Sequence, residues 1–84
     1  MKIYLHPRFA RSFRRLSTTL KTRAIEREKV FRVNPFDSSL DTHKLHGKLK
    51  KQWSFSIDRR FRVVFEFYGK DVIFLDIGDH SIYQ

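Results

Sequence analysis

Arg62 is the residue of this 84-residue chain best suited to meet a phosphate. It stands in an alternating run in which Phe61, Val63, Phe65 and Phe67 share one pleated face, while Arg62, Val64 and Glu66 share the other. On a strand its guanidinium therefore points away from the apolar side, the same way as Ser54 and Ser56 of the preceding run. A planar guanidinium fork meets two oxygens of a phosphate at once, which a lysine does less well. The competing reading of Arg62 is a surface arginine, or a structural partner of Glu66 or Asp58. Between His43 and Arg62 the other cations are Lys44, Lys48, Lys50, Lys51, Arg59 and Arg60, opposed by Asp58 alone. The whole chain carries 18 Lys and Arg against 9 Asp and Glu, a formal net charge of +9. Such a field favours a polyanion, nucleic acid or ribosome, and draws an acidic protein as well. Lys44, Lys48, Lys50 and Lys51, with Arg59 and Arg60, suit an RNA backbone. The bland alternative is a solvated surface that keeps the chain soluble.

Proton transfer near neutrality falls to the histidines, whose reference pKa is about 6.5. There are four: His6, His43, His46 and His80. As a metal pair His43 and His46 are unpersuasive, because without cysteine the remaining ligands would come from His6, His80 or scattered carboxylates. No metal and no cofactor is expected. The absence of cysteine also excludes a disulfide framework. No apolar run reaches the length of a membrane span, and Met1 to Leu5 lack the apolar region of a signal peptide, so a cytoplasmic protein without a membrane partner is expected.

The elements that must position these groups form one expected domain, residues 1–84. Residues 2–5 read as a short strand. Pro7 opens a helix whose Phe9, Phe13 and Leu16 form one apolar stripe amid Arg8, Arg11, Arg14 and Arg15. Ser17, Thr18 and Thr19 offer the cap of a second helix, with Leu20, Ala24, Ile25, Phe31 and also Val30 and Val33 as its buried side, ended by Asn34-Pro35. Part of the ribbon from His43 to Lys50 is expected as an edge strand. Then come three strands over residues 53–77, with a weak turn at Asp58-Arg59-Arg60 and a tight one at Tyr68-Gly69-Lys70-Asp71. In the last strand Ile73, Leu75 and Ile77 make one row and Val72, Phe74 and Asp76 the other, which would put Val72 and Phe74 on the open face. The order β-α-α-β-β-β-β predicts an α+β fold, a curved and mainly antiparallel sheet with two N-terminal helices packed on one face.

Three blocks in this order carry a resemblance. They are Asn34-Pro35-Phe36 through His43-Lys44-Leu45-His46-Gly47-Lys48-Leu49, then the Trp53-Ser54-Phe55 and Phe61-Arg62-Val63-Val64-Phe65 strands, then Leu75-Asp76-Ile77-Gly78-Asp79-His80-Ser81-Ile82-Tyr83. Together they resemble the RelE/ParE superfamily of bacterial toxins, most closely its RelE and YafQ-like branch, over nearly the whole chain. The resemblance implies the toxin of a type II toxin-antitoxin pair that cuts messenger RNA in the ribosomal decoding (A) site. The ribose 2′-hydroxyl would attack the adjacent phosphate, with neither metal nor cofactor. A cognate acidic antitoxin would wrap around the toxin, which is a monomer alone and part of a hetero-oligomer with it; that partner could bury Val72 and Phe74.

The same resemblance suggests roles. Arg62 matches the arginine that contacts the scissile phosphate. His80, within Gly78-x-His80-x-x-Tyr83, matches a C-terminal histidine suited to general acid or base work. Tyr83 matches a terminal aromatic that stacks on a base or orients the nucleophile, with a hydrophobic plug as its other reading. His43 and His46 lie where YafQ-like members place a catalytic histidine. RelE itself carries two lysines on the strand that here reads Ser54-Phe55-Ser56, so acid-base work would shift to His80 and to His43 or His46. Two other classes stay open: a ParE-like toxin that binds gyrase without nuclease chemistry, and a non-catalytic RNA-binding module.

Overall fold

The computed structural model describes residues 1–47 and 51–83, the side chains of His80 and Tyr83 excepted. The expectations for Lys48 and Lys50 therefore lie outside the described residues. The elements are β1 (Ile3–Leu5), α1 (Pro7–Arg14), α2 (Thr18–Val33), a 3-10 turn (Ser38–Leu40), β2 (His43–Lys44), β3 (Trp53–Ser56), β4 (Arg62–Tyr68), β5 (Asp71–Gly78) and a last 3-10 turn (His80–Tyr83). Their order is the β-α-α-β-β-β-β of an α+β fold. The sheet is open and runs β1-β5-β4-β3-β2, with β1 parallel to β5 and the other pairs antiparallel.

Local chemistry sets the element ends. His6 caps α1, its Nδ1 accepting the Arg8 N–H at 3.0 Å, and Pro7 fills the first turn, where its missing N–H costs nothing. Ser17 caps α2, its Oγ accepting from Leu20 N at 3.2 Å, and Asn34 leaves the helix with extended φ of −156° ahead of Pro35. The β4–β5 hairpin closes through Gly69 and Lys70, with Gly69 at φ 61°, a backbone that costs glycine little.

The helices cover one face of the sheet. Phe31 of α2 is fully buried, its ring centroid 4.7 Å from that of Phe55, 5.0 Å from Phe65 and 5.5 Å from Phe74. Phe9 of α1 adds a contact to Phe74 at 5.4 Å. Ala24 is buried beside them, and Phe13, Leu16 and Val30 pack on the margin. Ile25 and Val33, expected on the buried side, are 51% and 88% exposed. The helical period explains it: Ile25 lies about 100° round from Ala24, and Val33 about 200° round from Phe31.

A second correction concerns β5. Val72 and Phe74 are not on the open face; they are buried at 0% and 2% exposure beneath the helices. The register shows why. Val63 pairs with Ile77 and Val64 with Asp76, but Phe65 pairs with Phe74, so Leu75 is an extra residue on β5. Such a bulge reverses the alternation phase. Val72, Phe74 and Ile77 thus all reach the core, and Val72 and Phe74 offer no open-face surface to a partner.

Candidate functional site

On the face away from the helices, sheet register sets two adjacent rows. One runs His43, Ser54, Val64 and Asp76, where Val64 is buried and Asp76 is reached by Ser12 of α1, whose Oγ donates to its Oδ1 at 2.7 Å; the next runs Ser56, Arg62 and Gly78. Arg62, with its side chain 15% exposed, reaches across both. Its Nε donates to Ser54 Oγ at 3.1 Å, and Nη1 to Ser56 Oγ at 3.4 Å. Its Nη2 donates to the Asp41 carbonyl at 2.9 Å and approaches the Asp41 carboxylate at 3.5 Å. Ser54 itself is fully buried, so its hydroxyl has a cationic donor where water is shut out.

Asp41 is brought here by the turn before it. Leu40 is fully buried in the core, and Asp37 Oδ1 accepts both the N–H and the hydroxyl of Ser39, closing the turn. Those two bonds, the hydroxyl's first and with Arg27 adding to them, hold the Asp37 carboxyl below its ordinary 3.8. Asp41 then adopts a left-handed backbone with φ 49°, a conformation aspartate tolerates better than most residues. That turns its carbonyl toward both Arg62 and His43.

The His43 Nδ1 lies 3.0 Å from the Asp41 carbonyl and 3.4 Å from Arg62 Nη2. A carbonyl only accepts, so the bond to Asp41 uses a proton on Nδ1 and leaves the Nε2 lone pair of a neutral ring available to take a proton. His43 is exposed at the sheet edge, beside a cation and oriented by a main-chain oxygen.

The other expected residues separate. Lys44 pairs with Trp53, whose ring packs on Phe36 and Phe67 at the helix side, so Lys44 faces away from Arg62. His46 is exposed beyond the end of β2, and Lys51, Arg59 and Arg60 are exposed. His80 and Tyr83 lie in the last 3-10 turn, which follows Gly78, the residue paired with Arg62; their side chains are outside the description. That turn folds back tightly, for a Cβ on Gly78 would stand 2.5 Å from Ile82 Cγ2. Asp79 caps it, and the Ser81 N–H, then its hydroxyl, hold the Asp79 carboxyl below 3.8, with Arg60 contributing. Among the described residues, no three His, Cys, Asp or Glu side chains converge as a metal site, and no helix is long and apolar enough to cross a membrane.

The acidic partner of Arg62 is thus Asp41. Asp58 Oδ1 instead accepts the main-chain N–H groups of Arg60 and Phe61 at 2.8 and 2.7 Å, fixing the β3–β4 turn. Sequence reading missed Asp41 and the use of both serines as guanidinium acceptors. The only available signal was that Ser54 and Ser56 share the phase of Arg62.

No family model matches the chain, and no curated protein matches it. Solved structures do. The YoeB/ParE toxin from Agrobacterium tumefaciens superimposes with a TM-score of 0.79 over 95% of this chain and 99% of its own, at 16% identity. YafQ from E. coli strain BL21(DE3) gives 0.73 over 98% and 96%, at 13% identity. The archaeal RelE-RelB complex from Pyrococcus horikoshii OT3 gives 0.73 over 95% and 94%, at 15% identity. The fold is that of RelE/ParE-type toxins.

Proposed function

We propose that this chain, built on the fold of the RelE/ParE toxins, is the toxin of a type II toxin-antitoxin pair and cuts messenger RNA on the ribosome. The observation that carries the reading is the Arg62 guanidinium, seated on the face opposite the phenylalanine core by Ser54, Ser56 and Asp41 with His43 alongside. In the reaction the ribose 2′-oxygen attacks phosphorus and the P–O5′ bond breaks, leaving a 2′,3′-cyclic phosphate and a 5′-hydroxyl. The free Nε2 of His43 is the candidate base for the 2′ proton. His80 is the candidate acid for the departing 5′-oxygen, and Tyr83 the ring that stacks on a base. The Nη1 N–H that these contacts leave over, with the positive charge of the group, stabilises the charge that grows on the phosphorane oxygens. A seated guanidinium does this better than a mobile one, since it need not reorganise as charge develops.

The net charge of +9 suits both the ribosome and a small acidic antitoxin. The RelE-RelB neighbour was solved as a complex with a second protein, which supports a protein partner of that kind here. The test is expression with and without the protein encoded next to it. Growth arrest with messenger RNA cleavage, relieved by the neighbour, is the expected result. Arrest with intact messenger RNA would overturn the nuclease reading, and DNA-damage signalling insensitive to Arg62→Ala would favour a gyrase-directed toxin instead.

A further inference from the structure

Next to the Arg62 site an open cleft of about 540 Å³ lies between α2, the Ser38–Leu40 turn and the end of β3. Arg23, Arg27 and Arg59 line it, with Ser39, Ser56 and Asp58. The two α2 arginines are pinned rather than loose: Arg23 Nε donates to the Ile57 carbonyl at 3.0 Å, and Arg27 Nη2 to Ser39 Oγ. Each bond uses one edge of its guanidinium. The carboxylate of Asp58 is taken up by two main-chain N–H groups of its own turn. Three guanidinium groups therefore face one carboxylate, one oxygen of which is already engaged, in a cleft closed on its inner side by the buried Ile57.

We infer that this cleft binds the stretch of RNA backbone next to the phosphate held by Arg62, one phosphate to each of its three arginines. Ser56 joins the two places, for it lines the cleft and its Oγ lies 3.4 Å from Arg62 Nη1. A strand lying across the open face reaches the cleft by passing Ser56. Arginine forks match phosphate oxygens two at a time. An acidic peptide would meet the same charge, but Ile57 is the one apolar residue among those lining the cleft and it is buried, which leaves little to anchor a peptide side chain. The inference rests on reading the Arg62 face as the RNA-handling one.

The experiment uses a single-stranded 2′-O-methyl oligonucleotide, which has no free 2′-hydroxyl and so reports binding without cleavage. Its affinity is measured from about 50 to about 200 mM salt, where each phosphate neutralised on a single strand adds about 0.7 to the slope of log K on log salt. The variant Arg23→Gln/Arg27→Gln/Arg59→Gln should lower that slope by about 2, so that it loses about twenty-fold less affinity over this range than the natural chain. Arg59→Gln alone, at an exposed turn position, should lower it by about 0.7 and covers the case in which the triple variant does not fold. An unchanged slope in Arg59→Gln and in a folded triple variant would overturn the inference. So would loss of polyglutamate binding with oligonucleotide binding intact. If binding follows this pattern but a strand with free 2′-hydroxyls stays uncut, the cleft stands and the nuclease reading falls.

Discussion

A guanidinium whose side chain is 15% exposed needs its N–H groups answered, and Ser54, Ser56 and Asp41 answer three sides of it. This gives the serines a role that two lysines on the same strand would not fill: they accept, and by accepting they aim the fork. Ser54→Ala should cost about 1–3 kcal/mol in denaturant titration, because a buried cationic donor then loses its acceptor. Arg62→Lys keeps the charge but lacks Nε and the planar fork, so RNA cleavage should fall about 10²–10³-fold while the sheet still forms, as judged by circular dichroism. The direction in which Arg62 points was legible, since period-two alternation decides it. Its partner was not. Asp41 lies 21 residues away, and it meets Arg62 only because a buried Leu40 and a left-handed backbone turn its carbonyl inward. No local pattern announces such a contact, and the acids nearest in the chain, Asp58 and Glu66, are the partners that proximity in sequence suggests.

Elements whose limits depend on neighbouring residues were read well. The His6-Pro7 and Ser17 caps, the Asn34-Pro35 stop and the Gly69 hairpin each rest on a bond or dihedral within a few positions. The bulge at Leu75 was not legible, because one extra residue in β5 is a property of its pairing with β4, not of either strand alone. Reading straight alternation through it misplaced Val72 and Phe74. At the far end of β5, Gly78 lets the last turn fold down beside Arg62. Gly78→Val would drive a side chain into Ile82, whose β-branched shape yields little. The expected outcome is a shifted His80–Tyr83 turn, visible as amide shift changes confined to residues 78–83, with RNA cleavage strongly reduced and the helix-side core unaltered. In the core, Phe31→Ala should cost about 3–5 kcal/mol, since its ring touches three others and the hole left among Phe55, Phe65 and Phe74 closes poorly. For a chain of this size, with about 4–13 kcal/mol in all, thermal melting should reveal a marginal or unfolded protein.

Across the molecule the helices bury one side of the sheet and Arg62 stands on the other, in a chain whose net charge of +9 favours a polyanionic partner. Acid should loosen the two 3-10 turns that frame the open side. The Asp37 and Asp79 carboxyls are held below 3.8 in the folded chain, so between those lowered values and 3.8 the unfolded chain binds more protons. Their contribution is complete above 3.8 and is lost as pH falls through the lowered values. Protection of the Ser39 and Ser81 amides, taken relative to intrinsic exchange at each pH, should therefore fall in that range, and Asp37→Asn and Asp79→Asn should remove the dependence. The central claim, that Arg62 and its neighbours break one RNA linkage by internal attack, is tested most directly by the chemistry of the RNA ends. In cells or ribosome reactions containing the natural chain, cut messenger RNA should carry 5′-hydroxyl ends opposite 2′,3′-cyclic phosphate or 3′-phosphate ends, and Arg62→Ala should abolish them. Uncut RNA from a toxic chain, or the same ends at the same yield from folded Arg62→Ala, would contradict it.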